Sequence, residues 1–238
     1  MADMLQYLKL VPGYAIDLIF LFSGPKRFLG DRNTANPENL TKALVFFLLS
    51  SAIALFFRAF GIESPTDFTT LLMRSVLAWG AALLAAAAVI SASWVIVRKP
   101  VAIQVVLQTH AYVLAVVLMI INIGVAAEAN LLAIYRPELY NRVRSIYRAE
   151  QFDYGEVNRL TASHPLPPGD SVAVSMQAIQ FLSLVAICVW VIATWGAYRR
   201  VAGASRARSA LAFIVSFALF LPVVFVGDLI TRKGYSLR

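Results

Sequence analysis

From Ser75 to Val97 the chain carries no charged residue. Arg98, Lys99 and Pro100 follow, and from Val101 to Ala127 there is again no charge, only one histidine, His110. A helix that crosses a bilayer needs about 20 mostly apolar residues, rising roughly 1.5 Å each. Both runs are long enough, and the break between them is too short for a soluble loop. The pattern predicts a transmembrane helical hairpin turned by two charges at the membrane surface.

Composition extends this reading to the whole chain. Of 238 residues, 60% are hydrophobic and 14% charged, against roughly a quarter charged in soluble domains. Too few polar residues remain to cover a water-facing surface, so the expected class is all-α, a polytopic membrane helical bundle. The formal charge of +8 is explained by basic residues gathering at span ends, where cytoplasmic loops and anionic headgroups favour them. Nucleic acid is not expected as a partner. The single cysteine, Cys188, cannot close an internal disulfide and reads as a small apolar packing residue.

Five spans are expected, at about 40–61, 68–97, 101–134, 171–198 and 209–227, forming a membrane domain over 40–238. Residues 1–39 form an N-terminal segment. Its apolar stretch, Leu10 to Gly24, is too short to span and is expected to be interfacial or re-entrant. Lys9 and Asp17 interrupt the pattern of a cleaved signal peptide. Asn36-Pro37-Glu38 reads as a helix start, with Asn as cap, Pro at the first helical position and Glu in the first turn. Ser64-Pro65-Thr66-Asp67 repeats that signal.

Small residues crowd the second span, and Ala78, Ala82 and Ala86 recur at every fourth position. Such faces let helix backbones approach closely in lipid, so this span is expected to be the most enclosed. Trp79 and Trp94 fall toward its ends, as an aromatic belt would place them. Between spans three and four, Leu139, Val143, Ile146 and Tyr147 follow helical spacing. They predict an amphipathic surface helix from Pro137 to about Gln151 within the polar loop 135–170. Asp170 or Ser171 is expected to cap the fourth span.

Intramembrane polar residues are functional candidates by default. Gln104, Gln108, His110 and Glu128 lie on the third span, and Gln177 and Gln180 on the fourth. His110 and Glu128 are 18 residues apart, five whole turns and about 27 Å along one face. Two readings stand. These groups line a polar path, or they form an inter-helix network whose bonds are each worth about 1 kcal/mol or less. Glu128 is further expected to pair with Arg58 or Arg74. No metal, cofactor or catalytic set is expected, since His110 and His164 fall on different levels and no phosphate loop or nucleophile elbow occurs.

Basic residues mark the candidate surface or partner contacts: Lys26, Arg27, Arg98, Lys99, Arg199, Arg200, Arg206 and Arg208. Counting all Lys and Arg gives 11 on the N-terminal side against 10 opposite, which decides nothing. The short loops at 98–99 and 199–208 hold six of them and no acid. Short loops follow the positive-inside rule most closely. The N-terminus is therefore expected in the cytoplasm and the C-terminus outside.

The run Ser23-Gly24-Pro25-Lys26-Arg27-Phe28 precedes five closely spaced spans with an alanine-rich second span. In this layout the chain resembles the Yip1-domain family of small integral membrane proteins. Gly24-Pro25 is similar to the family's Gly-Pro motif, while Leu21-Phe22-Ser23 stands where eukaryotic members often carry aspartate-leucine-tyrosine. Those members contact small GTPases of the Rab class from the cytosolic side and carry N-terminal tails longer than this one, so the closer likeness is to compact bacterial members. The resemblance implies a multi-pass inner-membrane protein with a cytosolic N-terminus. The expected function is a non-enzymatic adaptor or membrane organiser that acts through membrane lipids, a protein partner or a homo-oligomer. The alternative is a transporter or channel for a small solute, ion or lipid, using the polar residues of the third and fourth spans.

Overall fold

A computed structural model describes residues 10–32, 35–60, 68–148, 153–163 and 169–235. Among these residues the chain forms nine helices and no strand. They are α1 (Leu10–Ser23), α2 (Pro25–Asp31), α3 (Pro37–Phe60), α4 (Phe68–Ile96), α5 (Ile103–Tyr135), α6 (Pro137–Arg148), α7 (Tyr154–Ser163), α8 (Ser171–Val201) and α9 (Arg206–Tyr235). Four stretches are long and apolar enough to cross a membrane: Pro37–Phe57, Leu72–Ile96, Ile103–Tyr135 and Ser171–Val201. The apolar helix Gly13–Ser23 is shorter. Helix α9 runs on past Gly227 to Tyr235, through residues expected to form a tail, and holds Pro222 within it.

Local signals explain the boundaries. The Asn36 side chain accepts the Glu38 amide at 3.0 Å, with Pro37 at the first helical position. The start signal at Ser64–Asp67 lies outside the described residues. Helix α4 ends at Arg98, whose φ of 57° lies in the left-handed region that side chains rarely adopt. Around it Lys99 N–H reaches the Trp94 carbonyl at 2.9 Å and Arg98 N–H the Val95 carbonyl at 2.9 Å, the paired bonds of a Schellman cap. Helix α8 closes in the same way at Gly203, where Ala204 N–H bonds the Arg199 carbonyl at 3.1 Å.

The chain divides into two compact units, and α3, α4, α5 and α8 contribute residues to both. The first comprises 1–46, 81–113 and 191–238. Its core joins Ala87, Ile90 and Trp94 of α4, with the adjoining Val97, to Val105 and Val106 of α5, Tyr198 of α8 and Ala212 of α9. Trp94 is fully buried and stacks on Trp195, with ring centroids 6.0 Å apart. It is therefore a packing residue rather than an outward belt residue. Ser216 donates to Ser93 at 2.7 Å, tying α9 to α4 through two buried hydroxyls.

The second unit comprises 47–80 and 114–190. Val125, Ala129 and Leu132 of α5 meet Leu139, Val143 and Ile146 of α6, Val157 of α7, and Val172 and Met176 of α8. The amphipathic helix is thus present, with its apolar face buried. Asp153 caps α7, accepting the Gly155 amide at 2.7 Å. A side chain on Gly124 of α5 would meet the Ser183 hydroxyl at 2.8 Å, so this glycine permits the close approach of α8.

Two expectations change. The span within α5 is 56% buried against 28% for that of α4, so α5 is the enclosed helix. The buried residues of α4 are Ser75, Leu83, Ala86, Ala87, Ile90, Ser93 and Trp94, whereas Ala78 and Ala82 are exposed. Mixed large and small residues make the contact face, and of the alanine stripe only Ala86 belongs to it. Cys188 is exposed on α8 rather than packed.

Asp170 is the cap of α8. Its Oδ1 accepts the Val172 amide at 2.8 Å and the Ala173 amide at 3.2 Å. Arg136, at the corner between α5 and α6, donates to the other carboxylate oxygen. That bond first, with the two amides, outweighs desolvation and lowers the Asp170 pKa from 3.8. The contribution is whole above the ordinary value and is lost as the pH falls through the lowered one. Wild type should melt above Asp170→Asn at neutral pH, and the gap should close on acidification through that window. A gap that persists in acid would disprove the assignment.

Candidate functional site

The first unit carries a polar node at the foot of α2. The turn after Asp31 brings Arg32 back toward α1, whose Asp17 faces it. Arg32 Nη1 donates to Asp17 Oδ2 at 2.7 Å, and Nη2 to Oδ1 at 2.6 Å. Such a fork-to-fork pair fixes direction as well as charge. Nη1 also reaches the Tyr112 hydroxyl of α5 at 3.1 Å, and the guanidinium lies 4.3 Å from the Phe28 ring centroid. Gln108, one turn before Tyr112, donates its side-chain amide to the Arg32 carbonyl. Burial acts to lower the Arg32 pKa, but the Asp17 bond and Tyr112 outweigh it and raise it. Phe28 and Phe46 meet the Tyr112 ring with centroids 5.2 and 4.9 Å away. Together these contacts pin α1 and α2 to α5.

The residues of the expected polar path take different neighbours. Gln108 gives its Nε2 to Arg32, while its buried Oε1 makes no hydrogen bond among the described residues. His110 Nδ1 lies 3.2 Å from the Tyr198 hydroxyl of α8. Gln104 is half-buried, and Gln177 is exposed. Gln180 is half-buried and makes a long bond of 3.5 Å to Asn158 of α7. Asn122 and Asn130 bond back to their own helix at 2.8 Å. Gln104, Gln108 and His110 fall in the first unit, and Glu128, Gln177 and Gln180 in the second.

Glu128 differs from the rest. Its side chain is fully buried, and neither carboxylate oxygen makes a hydrogen bond among the described residues. Gln180 is the polar group that acts on it, but no well-formed bond closes between them. Neither oxygen hydrogen-bonds Arg74, and the Arg58 side chain lies outside the described residues.

Basic residues gather where α2 meets the α8–α9 turn. The aliphatic stem of Lys26 lies over Gly196, where a side-chain carbon would meet the Lys26 Cε at 2.9 Å. Reciprocally, the Arg200 side chain lies over Gly30, with Nη1 2.6 Å from where a side-chain carbon would stand. Two glycines thus seat two cations from the opposing helix. Beside them opens a cavity of about 590 Å³, with Lys26, Arg199 and Arg206 among its lining and no acid. Of the other basic candidates, Arg27 pairs with Asp31 at 3.7 Å. Arg98, Lys99 and Arg208 do not line this cavity. Among the described residues no group of His, Cys, Asp or Glu could hold a metal ion. No family model, curated protein or solved structure matches this chain.

Sequence reasoning missed the Asp17–Arg32 pair and the seating of Lys26 on Gly196. Asp17 was a visible anomaly in an apolar run and could have prompted a search for a cation. The two seating glycines carried no such signal.

Proposed function

We propose that the chain is a non-enzymatic integral membrane protein that organises membranes or docks partners through its basic end. This is the role its resemblance to Yip1-domain proteins implies. The reading takes α9 as a fifth span, residues 10–32 as an interfacial segment, and the loops at 98–99 and 199–208 as cytoplasmic. The carrying observation is that Gln108, His110, Asn122 and Asn130 each have a bonding neighbour within the protein. Meanwhile Lys26, Arg199 and Arg206 surround a cavity without an acid. Gln108 and His110 bond to other segments and so hold the bundle together, and Asn122 and Asn130 bond within α5; unneutralised cations are available to recognise something.

The transporter reading is supported by the buried Glu128 carboxyl and Gln108 Oε1, which make no hydrogen bond among the described residues. Reconstitution into liposomes separates the two. Ion or solute flux through the wild-type protein should equal that of protein-free vesicles. A flux that His110→Ala or Glu128→Gln abolishes, in protein that still folds, would overturn the adaptor reading.

A further inference from the structure

We propose that the cavity between α2 and the α8–α9 hairpin binds the phosphate of an anionic phospholipid, with an acyl chain lying along the hairpin toward the hydrocarbon. This deepens the preceding reading by naming the ligand of the basic end.

Helical spacing orders the lining. On α8, Arg199, Trp195 and Ile192 stand on successive turns of one face. On α9 the corresponding ladder is Arg206, Ser209 and Phe213. Both run from charge at the turn, through an aromatic or hydroxyl group, to apolar residues deeper in the hairpin. A small polar anion would need only the first rung. An amphiphile uses all three.

The charged rung is built rather than incidental. Lys26 reaches it from a different helix, its stem held across Gly196. None of Lys26, Arg199 and Arg206 has an acidic partner among the described residues. Arg206 also opens α9, where Ser205 accepts the Arg208 amide at 3.4 Å, so the positive end of that helix adds to the field. The deeper wall is shaped but not sealed: the indole N–H of Trp195 is spent on the Ser209 carbonyl at 3.1 Å, which fixes the ring. Ile192 is 66% exposed, leaving apolar surface for a chain to follow. Basic pockets between spanning helices are a recurrent way of holding lipid phosphates.

The test uses the purified full chain in a non-ionic detergent and reads tryptophan fluorescence. The titrants are short-chain phosphatidylglycerol, short-chain phosphatidylcholine and inorganic phosphate. Phosphatidylglycerol should give a saturable change. Phosphatidylcholine should not, and inorganic phosphate should not displace the bound lipid at equal concentration. The variant R199Q/R206Q should bind about 30-fold more weakly, the loss expected for two basic contacts at a lipid surface. R199K/R206K should retain most of the affinity. Arg27→Gln, outside the lining, should bind as wild type.

Gly196→Leu leaves every charge in place but displaces the Lys26 stem, and should also weaken binding. It keeps the test decisive if the double glutamine variant fails to fold. Equal binding of the two lipids, or equal losses in Arg27→Gln and R199Q/R206Q, would overturn the site. Displacement by inorganic phosphate at equal concentration would reassign it to a free anion. Flux in liposomes would overturn the adaptor reading and leave this site standing. Absence of lipid binding would do the reverse.

Discussion

Asp17→Ala should destabilise the protein by about 2 kcal/mol, the loss typical of charged hydrogen bonds reduced for partial exposure. Arg32 and Asp17 retain 30% and 17% of their side-chain exposure, so water screens the pair in part. The loss is still large, because one carboxylate accepts both ends of the guanidinium fork. Without it Arg32 is left half-buried with only the Tyr112 hydroxyl and the Phe28 ring to hold its charge. Arg32→Lys should recover less than half of the stability, since an ammonium cannot make the planar two-point contact. Melting of Asp17→Ala, Arg32→Ala and the double variant in detergent forms a cycle. Strong coupling between the sites is expected. A coupling of a few tenths of a kcal/mol or less would mean that α1 and α2 are held by aromatic packing alone.

Glu128→Met should act in the opposite direction, raising stability by about 1–3 kcal/mol, the usual cost of a buried polar group without a partner. The carboxyl lies in the second unit, where neither oxygen makes a well-formed hydrogen bond among the described residues. Methionine fills a similar volume without that cost. Glu128→Gln should fall between, because an amide is cheaper to bury than a carboxylate. A lower melting temperature for Glu128→Met would show that the carboxyl has a structural partner. A higher one, accompanied by loss of a measurable flux, would show stability sacrificed for function.

What the sequence made legible was whatever the bilayer or the backbone demands locally. The uncharged runs marked α4 and α5 because hydrocarbon leaves no alternative to a continuous helix. Asn36-Pro37-Glu38 marked the start of α3 because capping involves neighbours in the chain. Asp153-Tyr154-Gly155-Glu156 carried a similar signal for α7 that went unused. The face of α4 was misread because close approach and burial are different requirements: Leu83 and Trp94 bury well without being small. The candidate site was less legible still. Gln108 could be seen as a polar residue in a span, but its acceptor is a backbone carbonyl far away in the chain. Lys26 and Arg199 were each read as surface charges, and nothing local to either shows that they face one cavity.

Only 11% of the span within α8 is buried, while Phe181, Leu182, Leu184, Val189 and Ile192 stand 59–66% exposed. The helix is held by the Asp170 cap, by its close approach to Gly124 at Ser183 and by the turn at Gly203. Between these points most of its apolar surface is not covered by protein. In a bilayer, the length and fluidity of the surrounding chains would then set how firmly α8 is held. A detergent that wets this face poorly would loosen α8 before it reached the enclosed residues of α5.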